Sequence, residues 1–269
     1  MNRRPVVAGQ FYPGQTDQLE SMVGEYLSQA DGKVHARTIL AMTPHAGYVF
    51  SGSVAGRTLG RANLAKTVLL LGPNHTGMGS RFAVWSDGSW DLPGGGLRVD
   101  EGLAGAIIKA DTRLVADHAA HVREHSLEVV LPFLRAINPD TAIVPVAVAE
   151  PKLEALLEVG AAVGEVLAGW KHPVSMVVSS DMSHYVTHEE AKRRDSMALE
   201  PILALNPAEA YRVVRENGIS MCGIMPMTVA VAAAVSLGAS KAELVAYATS
   251  GEASGEYSQV VGYAGVLVS

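Results

Sequence analysis

Short uninterrupted runs of apolar residues recur along this chain, and three of them end in a loop that contains a histidine. These runs and their histidines are 39–42 with His45, 68–71 with His75, and 176–178 with His184. An unbroken apolar run bounded by loops is typical of a parallel strand that is buried on both faces. Ligands of open α/β sheets lie at the carboxyl ends of such strands. The pattern therefore predicts that the three histidines converge at one edge of a sheet.

Segments between these runs have helical composition or the three- and four-residue apolar spacing of a helix. The predicted helices cover 19–27, 53–62, 100–110, 124–137, 151–167, 188–203, 207–216 and the buried segment 223–239. Further strands are predicted at 82–85, 142–148, 244–248 and 260–268, and a loop at 90–96. Pro132 must kink or restart the helix that contains it. The alternation predicts an α/β fold, a three-layer αβα sandwich around a largely parallel or mixed sheet, in one domain over residues 1–269.

The composition narrows the class of protein. Hydrophobic residues make up 48% of the 269 residues and charged residues 18%, which indicates a compact globule rather than a disordered chain. The net charge is −6 and no stretch is rich in Lys and Arg, so no nucleic-acid partner is expected. The segment 223–239 contains Pro226 and is short for a membrane span, so no membrane association is expected. The basic pair Arg3–Arg4 precedes no signal-like apolar stretch, and one cysteine cannot form an intrachain disulfide, which predicts a cytoplasmic location.

His45, His75 and Cys222 are the candidate metal ligands. The small residues 46–47 let a ligand approach His45, and His75 lies in a second Pro-containing loop after another apolar run. Cys222 precedes Gly223 at the predicted beginning of a helix, where unpaired backbone amides favour a thiolate. Two imidazoles and a thiolate form a ligand set for a transition metal. The alternatives are histidines that bond carbonyls within turns and a cysteine that is only a small buried apolar residue.

Two further pairs have a spacing that suggests chemistry. Asp181 and His184 are three residues apart, so the carboxylate or a backbone carbonyl could orient the imidazole for proton transfer; the alternative is a helix cap. His125 and Glu128 are also three apart and could share a helical face; they are predicted to support the metal ligands, or else to form a solvated helix beginning. Four histidines without such support are predicted at the surface: His118, His121, His172 and His188.

The sequence lacks the motifs of two common enzyme classes. It has no Gly-x-Ser-x-Gly elbow, which argues against a serine hydrolase of that type. The glycines at 94–96 are not followed by Lys-Ser or Lys-Thr and do not open a helix, so a phosphate loop is not indicated. A hydrolase that uses Cys222 as nucleophile with a distant histidine stays an open alternative.

Several motifs occur in an order that resembles the Memo family. In chain order they are VAGQFYP at 7–13, PHAGY at 44–48, GPNH at 72–75, EHSLEV at 124–129 with LPFL at 131–134, SSDMSHY at 179–185, CG at 222–223 and VGYA at 261–264. Because they extend from near the N-terminus to the end, the whole chain is identified by resemblance as a member of this family. The loop at 90–96 departs from the Thr-Pro-Leu-Gly type usual in the family, which changes the expected shape of one wall of the cleft.

The resemblance implies a fold similar to that of class III, non-haem-iron extradiol dioxygenases. In those enzymes two histidines and a glutamate hold Fe(II), and a further histidine acts as acid and base. By position, His45 and His75 match the two histidine ligands, and His184 matches the acid/base histidine, with Asp181 expected to orient it. Cys222 stands near the place of the carboxylate ligand. Because a thiolate is easily oxidised beside activated oxygen, the resemblance implies iron more strongly than ring cleavage.

Two hypotheses of function follow. The first is a cytoplasmic oxidoreductase that uses Fe(II), or copper as the second choice, on a small phenolic or other chelating substrate. The second is a non-catalytic protein that binds a peptide or small ligand in the same cleft, as the phosphotyrosine-peptide binding of eukaryotic Memo proteins implies. The cleft loops lack the Arg residues of a phosphate clamp, which favours the first. The resemblance also implies a functional link to a radical-SAM enzyme, and the high apolar content predicts a homo-oligomer.

Overall fold

Strands and helices alternate along most of the chain in the computed structural model, which describes residues 1–269. The strands are β1 (Asn2–Arg3), β2 (Leu40–Thr43), β3 (Thr67–Pro73), β4 (Phe82–Val84), β5 (Ser89–Trp90), β6 (Leu97–Val99), β7 (Val115–Ala116), β8 (Ala142–Val148), β9 (Val174–Ser179), β10 (His184–Val186), β11 (Ala242–Thr249) and β12 (Val260–Val268). The helices are α1 (Thr16–Ser28), α2 (Tyr48–Arg61), α3 (Glu101–Ala110), α4 (Leu131–Ile137), α5 (Leu153–Gly169), α6 (His188–Leu203), α7 (Pro207–Glu216), α8 (Ile224–Ser236) and α9 (Gly251–Ser254). Most predicted elements are therefore present.

The strands form one mixed sheet of twelve strands. Its centre consists of four parallel strands in the spatial order β8, β3, β9 and β2. β12 continues the sheet antiparallel to β2, and β11 pairs antiparallel with β12. The central strands are almost completely buried, because helices cover them on both faces. This burial explains the apolar runs in their sequences. The predicted α/β class with a largely parallel, mixed sheet is confirmed.

Two layers of helices enclose this sheet. On one side α2 packs on β2, β11 and β12 and contacts α1 and α4; on the other, α8 packs on the central parallel strands and contacts α5 and α7. Two glycines of β12 show the two sides directly. A Cβ at Gly262 would collide with Asp195 of α6, whereas a Cβ at Gly265 would collide with Thr58 of α2. The main core contains residues from Val7 to Val268, so both ends of the chain contribute to it.

The predicted helix over 124–137 is wrong in its first half. A short 3-10 helix at Glu128–Val130 leads into α4, and Pro132 lies in the first turn of α4, where a proline removes no helical hydrogen bond. Before it, Glu124 bonds to the loop after β3, and the carbonyl of Ser126 bonds to the end of β9. These contacts replace the helical hydrogen bonds of the segment. The apolar spacing of this segment therefore predicted a helix that its long-range hydrogen bonds prevent.

His121 is another correction, because this predicted surface residue is fully buried. Its ring lies edge-on to Trp85 and Trp90, with centroid separations of 6.0 and 5.6 Å. Its Nε2 lies 3.0 Å from the carbonyl oxygen of Ala83, which accepts the ring hydrogen. Burial lowers the pKa of His121 to about 4. Nothing in its local sequence signals this burial, which arises from the packing of two distant tryptophans.

Mild acid is expected to destabilise the protein through His121. The pKa of His121 is about 4 in the folded protein and about 6.5 in an unfolded chain. Between these values only the unfolded state takes up the proton, so stability is highest above about pH 6.5 and falls as the pH decreases. Between about pH 7.5 and pH 5, this group is expected to lower the free energy of unfolding by about 2 kcal/mol. Urea unfolding at both pH values measures it. The His121→Gln variant should lose less stability over this interval, and an equal loss in both proteins would contradict the prediction.

Candidate metal centre

Three neighbouring parallel strands each place a polar side chain two residues beyond their own end. His45 follows β2 in this way, His75 follows β3, and Asp181 follows β9. β9 lies between the other two strands in the sheet. Because parallel strands end on the same side, the three side chains meet at one edge of the sheet. The structure thus brings His45 and His75 together there, while Asp181 takes the place that the pattern gave to His184.

His45, His75 and His125 form a compact cluster of imidazoles. Each ring offers a nitrogen, and these three nitrogens lie within 4.8 Å of one another. The rings of His75 and His125 stack with centroids 4.9 Å apart, and the ring of His45 stands edge-on to both, at 5.3 and 5.6 Å. The side chain of His45 is only 3% exposed, whereas those of His75 and His125 are 35% and 26% exposed. The cluster therefore opens to solvent on the side of His75 and His125.

Glu124 holds His75 in place and was missed by the sequence analysis. The Nδ1–H of His75 donates to Oε1 of Glu124 at 2.9 Å, and the backbone amides of His75 and Ser126 also donate to this carboxylate. Burial alone would raise the pKa of Glu124, but these hydrogen bonds outweigh it and lower the pKa to about 2. The carboxylate is therefore ionised and acts only as an acceptor. It leaves the Nε2 lone pair of His75 free to bind an ion.

Cys222 lies beside His45. Its Sγ is 3.4 Å from Nε2 of His45 and accepts the backbone N–H of Asp181 at 3.2 Å. The residue precedes α8, and Gly223 between them is required because a Cβ there would collide with Ser180. Burial, followed by the negative charge of Asp181, raises the pKa of the Cys222 thiol. We expected the backbone amides at the beginning of α8 to favour a thiolate, but burial and the charge of Asp181 outweigh them. The thiol form of Cys222 is therefore favoured in the absence of a cation.

His184 and Asp181 make no hydrogen bond or ion pair with each other. Nδ1–H of His184 donates to the carbonyl of Ser220 at 2.9 Å, and the backbone amide of His184 donates to the Ser220 hydroxyl at 2.8 Å. Asp181 instead accepts the backbone amide of His45 at 2.8 Å, and its other oxygen is 4.0 Å from Nε2 of His45. A backbone carbonyl, rather than Asp181, therefore orients His184.

Glu128 is fully buried but lies with the N-terminal segment rather than with the imidazoles. It pairs with Arg3 at 2.7 Å, and this guanidinium is also buried. The same carboxylate accepts the backbone amides of residues 6–7 and the hydroxyl of Tyr12. It makes no hydrogen bond to His125, so the predicted supporting role at the ligands is not matched by its contacts. Glu128 anchors the N-terminal segment to the protein.

His125 is closer to the site than the sequence predicted. We expected it to support the ligands, but its ring nitrogen belongs to the cluster itself. Burial lowers the pKa of His125, and the same cause, together with the neighbouring His75, lowers the pKa of His45 well below its usual value. Both rings are therefore neutral near pH 7. Neutral imidazoles with converging nitrogens can hold a metal ion.

Comparison with known proteins relates this architecture to a family. The family model described as Memo-like protein matches residues 3–267. A MEMO1 family protein of Methanopyrus kandleri is 39% identical over 281 residues, 99% of each chain, and one of Aquifex aeolicus is 38% identical over 266 residues, 98% of each. Among solved structures, an uncharacterized protein of Escherichia coli K12 covers 87% of this chain and 100% of its own, with a TM-score of 0.58. At 12% identity it is similar in fold alone.

Fold and site together define an α/β sandwich with a histidine cluster that can hold a metal ion at the carboxyl edge of its sheet. The chain belongs to the Memo family, because the family model and the relatives match over nearly its whole length. The resemblance inferred from the motifs is confirmed. None of the helices is both long and apolar enough to cross a bilayer.

Proposed function

We propose that this protein is a metal-dependent oxidoreductase whose ion is bound between His45, His75 and Cys222. The observation that carries the proposal is the cluster of His45, His75 and His125, whose nitrogens lie within 4.8 Å of one another. The ring of His45 is buried at this cluster, which has a cost in desolvation that a bound ion would offset. His45 and His75 belong both to this cluster and to the ligand set that the family resemblance implies.

The position of Cys222 fits a shared ion. Where one ion binds a histidine nitrogen at about 2.0–2.1 Å and a cysteine sulfur at about 2.3 Å with tetrahedral geometry, the two donor atoms are about 3.5 Å apart. The observed separation between Nε2 of His45 and Sγ of Cys222 is 3.4 Å. His125 is the competing third ligand, because its nitrogen lies in the cluster. The two assignments predict different losses of metal on mutation.

Fe(II) is the proposed ion, with copper as the second choice. Imidazole and thiolate ligands suit both metals, and the family resemblance ranks iron first. When bound, Fe(II) supplies a redox-active centre with open positions for O2 and for a small chelating substrate, such as a phenolic molecule. The exposed side of the cluster, at His75 and His125, is the side from which a small molecule can approach.

His184 is proposed as the acid/base residue. Its Nδ1–H is held by the Ser220 carbonyl, so Nε2 is the ring nitrogen left to accept or donate a proton. Ser220 lies two residues before Cys222, so one short segment positions both His184 and the thiol. Asp181 does not orient His184 but holds the backbone of His45, and its proposed role is therefore to position the His45 loop.

Elemental mass spectrometry of protein purified without oxygen tests the proposal. We expect near-stoichiometric iron in the wild type, and at least a tenfold loss in His45→Ala, His75→Ala and Cys222→Ser. His184→Ala should keep its metal while losing turnover, because His184 is not a proposed ligand. His188→Ala is the matched control, since His188 bonds to Thr249, away from the cluster.

His125→Ala decides the third ligand. Full iron in this variant, with loss in Cys222→Ser, supports Cys222, and the reverse result assigns the position to His125. No metal in any variant or in the wild type, even after Fe(II) or Cu(I) is supplied, would contradict the oxidoreductase. That outcome would favour the second hypothesis, a protein that binds a peptide or small ligand in this cleft without chemistry.

The cellular setting is also a proposal. A cytoplasmic location suits a free Cys222 beside the imidazoles, because a reducing compartment keeps such a thiol from forming disulfides. The functional link to a radical-SAM enzyme and the homo-oligomer stay predictions. Co-purification and size-exclusion chromatography with light scattering would test them.

A further inference from the structure

Ser179 connects His45 to a backbone carbonyl on another segment. It is the last residue of β9 and is fully buried. Its hydroxyl lies 2.6 Å from the carbonyl oxygen of Ser126 and 2.8 Å from Nδ1 of His45. A carbonyl oxygen can only accept a hydrogen bond, so the single hydroxyl hydrogen points to Ser126. The opposite arrangement would leave two acceptor oxygens 2.6 Å apart with no hydrogen between them.

This arrangement decides which nitrogen of His45 carries a hydrogen. Because the Ser179 hydroxyl donates to Ser126, it must accept from Nδ1, and Nδ1 of His45 is therefore protonated. In the neutral ring the lone pair is then on Nε2. Nε2 is the nitrogen that lies 3.4 Å from Sγ of Cys222, where the thiol hydrogen can point to it. The same tautomer results at His75, whose Nδ1–H is held by Glu124.

The acceptor at Ser126 is itself fixed. Its backbone amide donates to Glu124 at 2.9 Å, and its hydroxyl donates to the carbonyl of Pro73 at 3.1 Å. Gly72 makes this approach possible, because a Cβ there would collide with Leu127 of the same segment. One turn, 124–126, thus determines the tautomer of His75 directly through Glu124. It determines that of His45 through the hydroxyl on β9.

We infer that Ser179 is a positioning residue that fixes the His45 ring with its Nε2 lone pair directed into the metal centre. The inference rests on the proposed function in that it names how this chain prepares a ligand of the proposed ion. Hydrogen bonds behind ligating histidines commonly change metal affinity by about 10–100-fold when they are removed. Neither the family motifs nor the sequence pattern assigned any role to this serine.

Ser179→Ala tests the inference, with Ser175→Ala as a matched control. Ser175 lies on the same strand four residues earlier, is also fully buried, and bridges a carbonyl and an amide of neighbouring segments without touching a histidine. The first measurement is ¹⁵N NMR of the imidazoles in the metal-free full-length protein. We expect a single Nδ1–H tautomer at His45 in the wild type and in Ser175→Ala, and a mixture of tautomers in Ser179→Ala.

The second measurement is the affinity for Zn(II), used as a redox-inert probe. It should weaken about 10–100-fold in Ser179→Ala and less than about threefold in Ser175→Ala, with thermal unfolding showing that both variants are folded. Ser179→Thr retains the hydroxyl and should restore both the tautomer and the affinity. An unchanged His45 tautomer in Ser179→Ala, or an equal loss of affinity in Ser175→Ala, would overturn the inference. A wild type that binds no ion but shows the single tautomer would contradict the proposed function and leave the positioning by Ser179 supported.

Discussion

Replacing Glu128 by alanine is expected to lower the free energy of unfolding by about 3–5 kcal/mol, the loss typical of a broken buried ion pair. Arg3 and Glu128 are both buried, with side-chain exposures of 2% and 0%. Removal of the carboxylate leaves a buried guanidinium without its partner. It also leaves the backbone amides of residues 6–7 and the Tyr12 hydroxyl without their acceptor. The N-terminal segment should then detach before the rest of the fold unfolds.

Urea unfolding and amide hydrogen exchange together measure this effect. Glu128→Gln should be intermediate, because the amide keeps one acceptor oxygen but loses the charge. Glu190→Ala is the matched control: Glu190 also pairs with arginine, here with Arg193 and Arg194, but at the solvent-accessible surface of α6, where removal of such pairs has little effect. A loss in Glu128→Ala no greater than that in Glu190→Ala would show that Glu128 does not anchor the N-terminal segment.

Glu124→Gln is expected to weaken metal binding by about 10–100-fold, as removal of a carboxylate behind a ligating histidine usually does. The substitution preserves volume but can present only one acceptor oxygen, whereas Glu124 accepts Nδ1–H of His75 and the backbone amides of His75 and Ser126. An amide nitrogen facing one of these donors would push the His75 ring or the turn 124–126 away. The same variant should also lose stability, because a buried N–H without an acceptor costs about 1–3 kcal/mol.

Calorimetric titration with Fe(II) under anaerobic conditions measures the affinity, and urea unfolding measures the stability. Glu150→Gln is the control, since Glu150 is a buried carboxylate that accepts an amide and pairs with Arg81 but contacts no histidine. It should lose stability without losing metal affinity. Unchanged affinity in Glu124→Gln would show that the orientation of His75 does not depend on this carboxylate.

The strands were the most predictable part of the fold. β2, β3, β8 and β9 are buried on both faces, so most of their residues are apolar, and the few serines and threonines among them are small. The segment 118–127 was the least predictable. Its conformation depends on hydrogen bonds of Glu124 to His75 and of Ser126 to Ser179 at the end of β9. These partners are far away in the chain, so local apolar spacing cannot predict them. His121 was misplaced for the same reason.

In the candidate site too, residues marked by a local sequence pattern were predictable, and residues defined by distant contacts were not. His45 and His75 could be found because each follows a recognisable strand, and Cys222 because it is the single cysteine and stands in a family motif. Glu124 and Ser179 had no such signal as positioning groups, although both lie within the quoted motifs. The nearest hint was that Glu124 directly precedes His125. The spacing of Asp181 and His184 predicted an interacting pair, but Asp181 contacts His45 and His184 contacts Ser220.

The α/β class, the buried parallel strands and the two histidines at their ends could all be predicted from the order of residues, because burial selects apolar residues and parallel strands end at one edge of the sheet. The contacts of the folded protein were needed to show that His125 joins the cluster, that Glu124 holds His75, that Ser179 holds His45 and that Glu128 anchors the N-terminal segment. These roles depend on distances between residues that are 49 to 134 positions apart. Hydrogen bonds of this kind depend on the direction of each donor and acceptor, which exists only after the sheet has brought the loops together.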